Sequence, residues 1–146
     1  MEGDLGGLTE AEGRAWHAAM RAHARCVRQM DAELESVHGT ALTSYDVLRQ
    51  LGLAPERRLR MAELADRVFL SRPGLTGVVK RLEAAGLLAR EPAPDDGRGS
   101  LAVLTPEGYE RVVAWHRTHV RSIRTLFTDR FSEAELRQLA DLLGRV

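Results

Sequence analysis

The sequence predicts a mainly α protein with one small β-hairpin, and three observations carry that prediction. Apolar residues recur at spacings of three and four along most of the chain, which marks amphipathic helices. Four segments open on a helix-capping pattern: Thr9 with Glu12, Ser71 before Pro73, Thr105 before Pro106, and Ser132 with Glu135. The periodicity breaks between Leu87 and Leu104, where two short extended runs flank Pro92-Ala93-Pro94-Asp95-Asp96-Gly97-Arg98-Gly99, a stretch dense in turn formers.

Each element follows in order. Residues 1–8 are acidic and Gly-rich, and are expected to be disordered. From Thr9, the residues Trp16, Met20, His23, Val27, Met30, Leu34 and Val37 trace one face of a helix that runs to His38, where Gly39 ends it. A helix of roughly 28 residues is long for a small domain, so part of its apolar face is expected to meet another chain or another long helix. Thr43 starts a shorter helix with Val47, Leu48 and Leu51 inward, closed by Gly52 and Pro55. A third begins near Arg60 with Met61, Leu64, Ala65 and Val68 on one side. Ser71 caps a fourth, whose buried stripe is Leu75, Val78, Val79 and Leu82 and whose left-handed stop is Gly86. After the hairpin, Thr105 opens a second long helix carrying Tyr109, Val112, Val113, His116, Val120, Ile123 and Phe127. A last helix turns Leu136, Leu139, Leu142 and Leu143 inward.

Composition bounds the class. The chain has 146 residues, 44% apolar and 29% charged, which suits one globular domain. One cysteine cannot form an intrachain disulfide, which argues against a disulfide-stapled secreted fold. No apolar run approaches the roughly 18–20 residues that span a bilayer, and the N-terminus lacks the basic and apolar regions of a signal peptide, so a cytoplasmic protein without membrane partners is expected. Twenty-one basic residues balance 21 acidic ones, yet the balance is uneven. Residues 57–101 hold nine Arg or Lys against six acids, while residues 1–38 hold four against seven. All basic residues but Lys80 are Arg, the better partner for planar contacts to phosphate or guanine, although a GC-rich genome gives the same bias.

The chemistry concentrates in the middle of the chain. Met61 to Phe69, a turn at Leu70–Arg72 and the helix to Ala85 match a helix-turn-helix, whose second helix enters a DNA major groove. That helix shows Arg72, Gly74, Thr76, Gly77, Lys80 and Arg81 outward, with no acid before Glu83. The following hairpin makes a wing, and Arg98 at its tip suits a narrow minor groove. Asp96 beside it pairs with Arg98 or a neighbouring Arg, or serves with Asp95 and Gly97 as plain turn chemistry. A solvated helix face and a protein-docking module are the alternatives. The second lacks the aromatic or Leu anchors that protein docking uses. An enzyme is not expected, because no Gly-rich phosphate loop, nucleophile motif or suitable carboxylate pair is present.

These segments together resemble one family. Met61-Ala62-Glu63-Leu64-Ala65, then SRPGLTGVVKRLEAAGLLARE, then DDGRGSLAVLT are similar to the winged-helix core of the MarR family of bacterial transcriptional regulators. The resemblance implies a single domain over 9–146, with a winged helix-turn-helix at 43–104 and dimerisation helices at 9–38 and 105–146. It implies a homodimer on pseudo-palindromic double-stranded operator DNA, acting as a repressor. Ser71, Arg72, Pro73, Thr76 and Lys80 would lie on the recognition helix, Arg81 near its backbone-facing side, Arg98 in the minor groove and Asp96 as its support. It also implies release from DNA by a phenolic, anionic or purine small molecule between the dimer helices and the winged domain.

Effector candidates are Trp16, Asp46, Arg57, Arg58 and His119. A urate-responsive subgroup uses a Trp in the first helix with an Asp and an Arg farther on, and here the Arg falls on either Arg57 or Arg58. Equally, Trp16 reads as dimer core and Asp46 as a carboxylate partnering the Thr43 cap. Cys26, between Arg25 and Val27, is a redox candidate by the same resemblance, or a buried inert thiol. His116 and His119 stand three apart on one helix, but no Cys or carboxylate at ligand spacing accompanies them, so neither a metal nor a cofactor is expected.

Overall fold

Thr9 opens the chain's first helix with a closed capping box. Its hydroxyl accepts the Glu12 amide at 3.3 Å, while its own amide donates to the Glu12 carboxylate at 2.6 Å. The computed structural model describes residues 7–68, 70–94 and 99–146, so most of the expected N-terminal disorder, and the hairpin tip, lie outside the described residues. Helix α1 spans Glu10–His38 and ends at Gly39, whose left-handed φ of 63° a side-chain-bearing residue adopts at a cost. Within one chain α1 buries only Leu34, and Trp16 is 58% exposed.

Helix α2 spans Leu42–Leu53 and forms the centre of the core, with Tyr45, Val47, Leu48 and Leu51 fully buried. Thr43 is not its cap. The N-cap is Ala41, which offers no side chain, and Asp31 of α1 reaches across to accept the Leu42 amide at 2.7 Å. A tertiary carboxylate thus replaces the local cap that the sequence suggests. The core continues through Leu64, Leu75, Val79, Leu88 and Ala102.

The expected two-stranded hairpin is a three-stranded antiparallel sheet. Strand β1 (Arg58–Arg60) lies between a short 3-10 turn at Pro55–Arg57 and helix α3 (Met61–Val68). It pairs with β3 (Ser100–Leu104), which also pairs with β2 (Leu88–Pro92), giving the order β1-β3-β2. The registers are Arg58 opposite Val103 and Leu88 opposite Leu104. β1 buries Leu59 and turns both its arginines outward, alternation too brief to register as a strand in sequence. Helix α4 covers Arg72–Ala84.

Helix α5 (Pro106–Leu126) and helix α6 (Glu133–Leu143) complete the chain. The buried stripe of α5 is Val112, Trp115, Thr118 and Ser122, rotated from the one its apolar residues suggest; Tyr109, Val113 and His116 are exposed. Two polar groups sit in that stripe because both are satisfied. Thr118 Oγ1 is 2.8 Å from His38 Nε2, and Ser122 Oγ donates to the Thr118 carbonyl at 3.1 Å. None of the leucines of α6 is fully buried: Leu136 and Leu139 are half-buried while Leu142 and Leu143 are exposed, so the described part of the chain covers only half of the expected inward face. At the start of α5, Thr105 Oγ1 accepts the Gly108 amide at 3.0 Å and donates to the Gly86 carbonyl at 2.7 Å. Gly108 packs directly on the Leu87 carbonyl, where a Cβ would collide with it. Among the described residues no helix is long and apolar enough to cross a membrane.

Candidate nucleic-acid interface

Helix α4 is shaped by its two ends and one apolar stripe. Ser71 at the N-cap accepts the Gly74 amide at 3.2 Å, and Pro73 sits where a missing N–H costs nothing. Leu75, Val78, Val79 and Leu82 bury one side. That fixes the opposite side outward: Ser71, Arg72, Pro73, Thr76, Lys80 and Arg81 are all exposed. Thr76 donates its hydroxyl to the Arg72 carbonyl at 2.9 Å, which fixes its rotamer. Arg81 lies back along the helix, one guanidinium nitrogen 3.9 Å from where a Cβ of Gly77 would stand.

Charge separates this face from its surroundings. Neighbouring arginines hold acids: Arg67 pairs with Glu63 at 2.6 Å, and Arg58 with Glu56 and Glu91 at 3.4 and 3.6 Å. Glu83, the one acid of α4, is drawn off by Arg90 of β2 at 3.0 Å. Among the described residues Arg72, Lys80 and Arg81 enter no ion pair. Three positive charges on one exposed face, beside a helix N-terminus, attract polyanions over several ångströms.

The wing is built on β2 and β3 and closed at its base by the Ala93 amide donating to the Gly99 carbonyl at 3.0 Å. Asp95, Asp96 and Arg98 at its tip lie outside the described residues. Where the wing meets the starts of α3 and α4 there is a cavity of about 380 Å³, walled by Arg60, Arg72, Thr76 and Ser100 over Met61 and Leu75. Nothing in the sequence singles out Arg60, because the strand that positions it is only three residues long.

The effector candidates do not form one group. Asp46 and His119 both lie within electrostatic reach of Arg49, in a cluster between α2 and α5 that also holds Tyr45 and His116. The Tyr45 ring centroid is 4.6 Å from that of His119, and its hydroxyl is 2.8 Å from His116 Nδ1. Burial pushes the Tyr45 hydroxyl up to about 12, so it stays protonated, and which partner donates in that bond follows the His116 tautomer. Burial, then Arg49 and His116, hold His119 below its ordinary value, and among the described residues its buried Nδ1 has no hydrogen-bond partner. Asp46 is raised by burial, with Arg49 partly opposing the shift. It belongs to this cluster and does not partner a cap at Thr43.

The remaining candidates stand apart. Arg57 stacks on Tyr109 of α5, its guanidinium carbon 3.6 Å from the ring centroid. Arg58 is taken up by its two acids. Trp16 lies about 22 Å along α1 from Asp31, which accepts a hydrogen bond from the start of α2. Cys26 is half-buried on α1. Among the described residues no group of three His, Cys, Asp or Glu side chains is placed to hold a metal.

Known proteins share this arrangement. The sequence pattern of the MarR family matches residues 38–99. Sco3205, a MarR family transcriptional regulator from Streptomyces coelicolor whose crystal structure is in complex with DNA, is 33% identical. The match covers 94% of this chain and 90% of that one with a TM-score of 0.88. AbsC, a MarR family transcriptional regulator from the same organism, is 30% identical over 95% and 93% of the two chains, with a TM-score of 0.87. YdgJ of Bacillus subtilis (strain 168), an HTH-type transcriptional regulator, is 27% identical over 78% of this chain and 68% of its own length. With two such relatives matched over nearly their whole length, this winged helix-turn-helix chain belongs to the MarR family of transcriptional regulators.

Proposed function

We propose that the protein binds double-stranded, pseudo-palindromic operator DNA as a homodimer and acts as a repressor that a small molecule releases. The observation that carries this reading is the exposed face of α4, where Arg72, Lys80 and Arg81 have no acidic partner among the described residues while nearby arginines do. A helix presenting basic and small residues from a helix-turn-helix reads base edges in a major groove. Ser71, Pro73 and Thr76 complete that face, and Arg98, supported by Asp96, reaches the minor groove from the wing. The DNA complex of Sco3205 supports the same reading.

The dimer is supported by apolar surface that one chain leaves bare: Trp16 and Met20 on α1, and Leu142 and Leu143 on α6. For the effector, a cavity of about 370 Å³ at the junction of α1, α2, α4 and α5 joins His38, Ser44 and Trp115 to Arg81. An anionic or phenolic ligand there would contact a residue of the reading helix directly. The proposed set of Trp16, Asp46, Arg57, Arg58 and His119 is supported only for Asp46 and His119, which share one cluster.

The test is selection of operator fragments from genomic DNA, followed by titration of Lys80→Ala and Arg98→Ala. Each is expected to weaken binding by about 1–3 kcal/mol if its contact is to a base edge. Unchanged affinity in both variants would refute the recognition surface. Thermal-shift screening with phenolic acids, purines and peroxide identifies the effector class, and a Cys26→Ser protein that still releases DNA on peroxide treatment removes Cys26 from it.

A further inference from the structure

We propose that Thr76 is a specificity-determining residue of the reading helix, and that it recognises the 5-methyl group of a thymine with its own methyl. The inference rests on the DNA-binding reading above and deepens it by naming the base chemistry that one position selects.

The hydroxyl of Thr76 is already committed. It donates its single hydrogen to the Arg72 carbonyl one turn back, at 2.9 Å, so it has none to give a base acceptor such as guanine O6 or adenine N7. Thr76 is nonetheless exposed. With the hydroxyl turned onto the helix, the side chain offers a base its methyl and an oxygen lone pair. Its neighbours decide between the two. Arg72 and Lys80 stand one turn before and one turn after Thr76 on the same row, each about 6 Å away along the axis. Both are exposed, and neither enters an ion pair among the described residues. A base amino group aimed at the lone pair would lie between two cations that are themselves donors. Thymine fits instead, because in the major groove it alone sets a methyl beside an acceptor, O4, which Arg72 or Lys80 can serve.

Two further features agree. At Gly77, next to Thr76, an added Cβ would meet nothing nearer than an Arg81 guanidinium nitrogen at 3.9 Å, so packing within the chain does not call for a glycine there. A glycine inside a helix costs stability, and what this one leaves is room for a base pair to reach Thr76. Thr76 also edges the cavity of about 380 Å³ whose lining includes Met61 and the buried Leu75, so a methyl set against it finds apolar surface beyond.

The experiment uses duplexes that the wild-type protein enriches from a randomised pool, with affinity read by fluorescence anisotropy. Each thymine of an enriched duplex is replaced in turn by deoxyuridine, which removes the 5-methyl and leaves every hydrogen-bonding group in place. At one position in each half-site the loss is expected to be about fourfold, the contribution of one buried methyl. Thr76→Ser, which keeps the hydroxyl, should lose about as much on the thymine duplex and no longer distinguish thymine from deoxyuridine there. Thr76→Val, which keeps a methyl and drops the hydroxyl, should bind and discriminate as the wild type does. Thermal unfolding of each variant confirms that it is folded.

Enriched duplexes that tolerate deoxyuridine at every thymine, or a deoxyuridine effect that persists undiminished in Thr76→Ser, overturn the inference and leave the DNA reading intact. A Thr76→Val protein that loses affinity while Thr76→Ser keeps it does the same, since the hydroxyl is then the reading group. Failure of the wild-type protein to enrich any duplex overturns the DNA reading itself.

Discussion

A methyl group added at Gly108 would overlap the carbonyl oxygen of Leu87, and because that oxygen belongs to the backbone it cannot swing aside as a flexible side chain does. Gly108→Ala is expected to cost about 1–3 kcal/mol of stability, read from the urea midpoint, through the backbone shift it forces. His119 makes a second prediction at this scale. Its pKa is lower in the folded protein than its ordinary 6.5, so the folded state takes up its proton less readily than the unfolded chain. Stability from this group is fully present above that value and is lost as pH falls below it. Thermal midpoints at about pH 7.5 and about pH 5.5 should therefore fall on acidification, and less so in His119→Gln. Asp46, raised by burial, shifts stability in the opposite sense, but only nearer the carboxylate range.

Elements were legible where their signals are local. Ser71 before Pro73, and Thr9 and Ser132 with their glutamates, act over four residues, and all three caps form where the pattern places them. Ser71→Ala is accordingly expected to cost about 1 kcal/mol and, by fraying the start of the reading helix, to weaken DNA binding as well. Where partners come from elsewhere in the chain, the pattern misleads. Thr43 has the right chemistry for a cap, yet Asp31 arrives from α1 to do that work. β1 needs β3, more than 40 residues away, to become a strand at all. On α5 the buried positions include Thr118 and Ser122, acceptable only because His38 and a backbone carbonyl satisfy them, so an apolar-only stripe is rotated from the true one. Of the candidate interface, the α4 face was readable for the same local reason, and Arg60 was hidden with its strand.

For the whole molecule the deciding quantity is apolar surface. A chain that leaves Trp16 58% exposed and Leu143 54% exposed on helices at its two ends carries a face suited to a second copy. Trp16→Glu with Leu143→Glu is expected to shift the protein from dimer to monomer in sedimentation velocity. Operator affinity should fall with it, since each half-site is then bound alone. Charge, averaged to zero over the chain, divides into an acidic N-terminal region and a basic reading head. Binding should therefore weaken steeply with salt despite neutrality.

The junction where Gly108 sits on Leu87 and Thr105 holds Gly86 has a geometric meaning in such a dimer. It welds the exit of α4 to the entry of α5, leaving no soft joint between the part that grips DNA and the part that grips the partner. In the homodimer proposed above, the two reading helices would act as the jaws of a caliper pivoting where the two copies meet. A rotation of a few degrees at that pivot, transmitted along some ~30 Å of α5, opens the jaws by one to two ångströms. Operators with one base pair inserted between half-sites, an added rise of about 3.4 Å, exceed that reach and should be rejected.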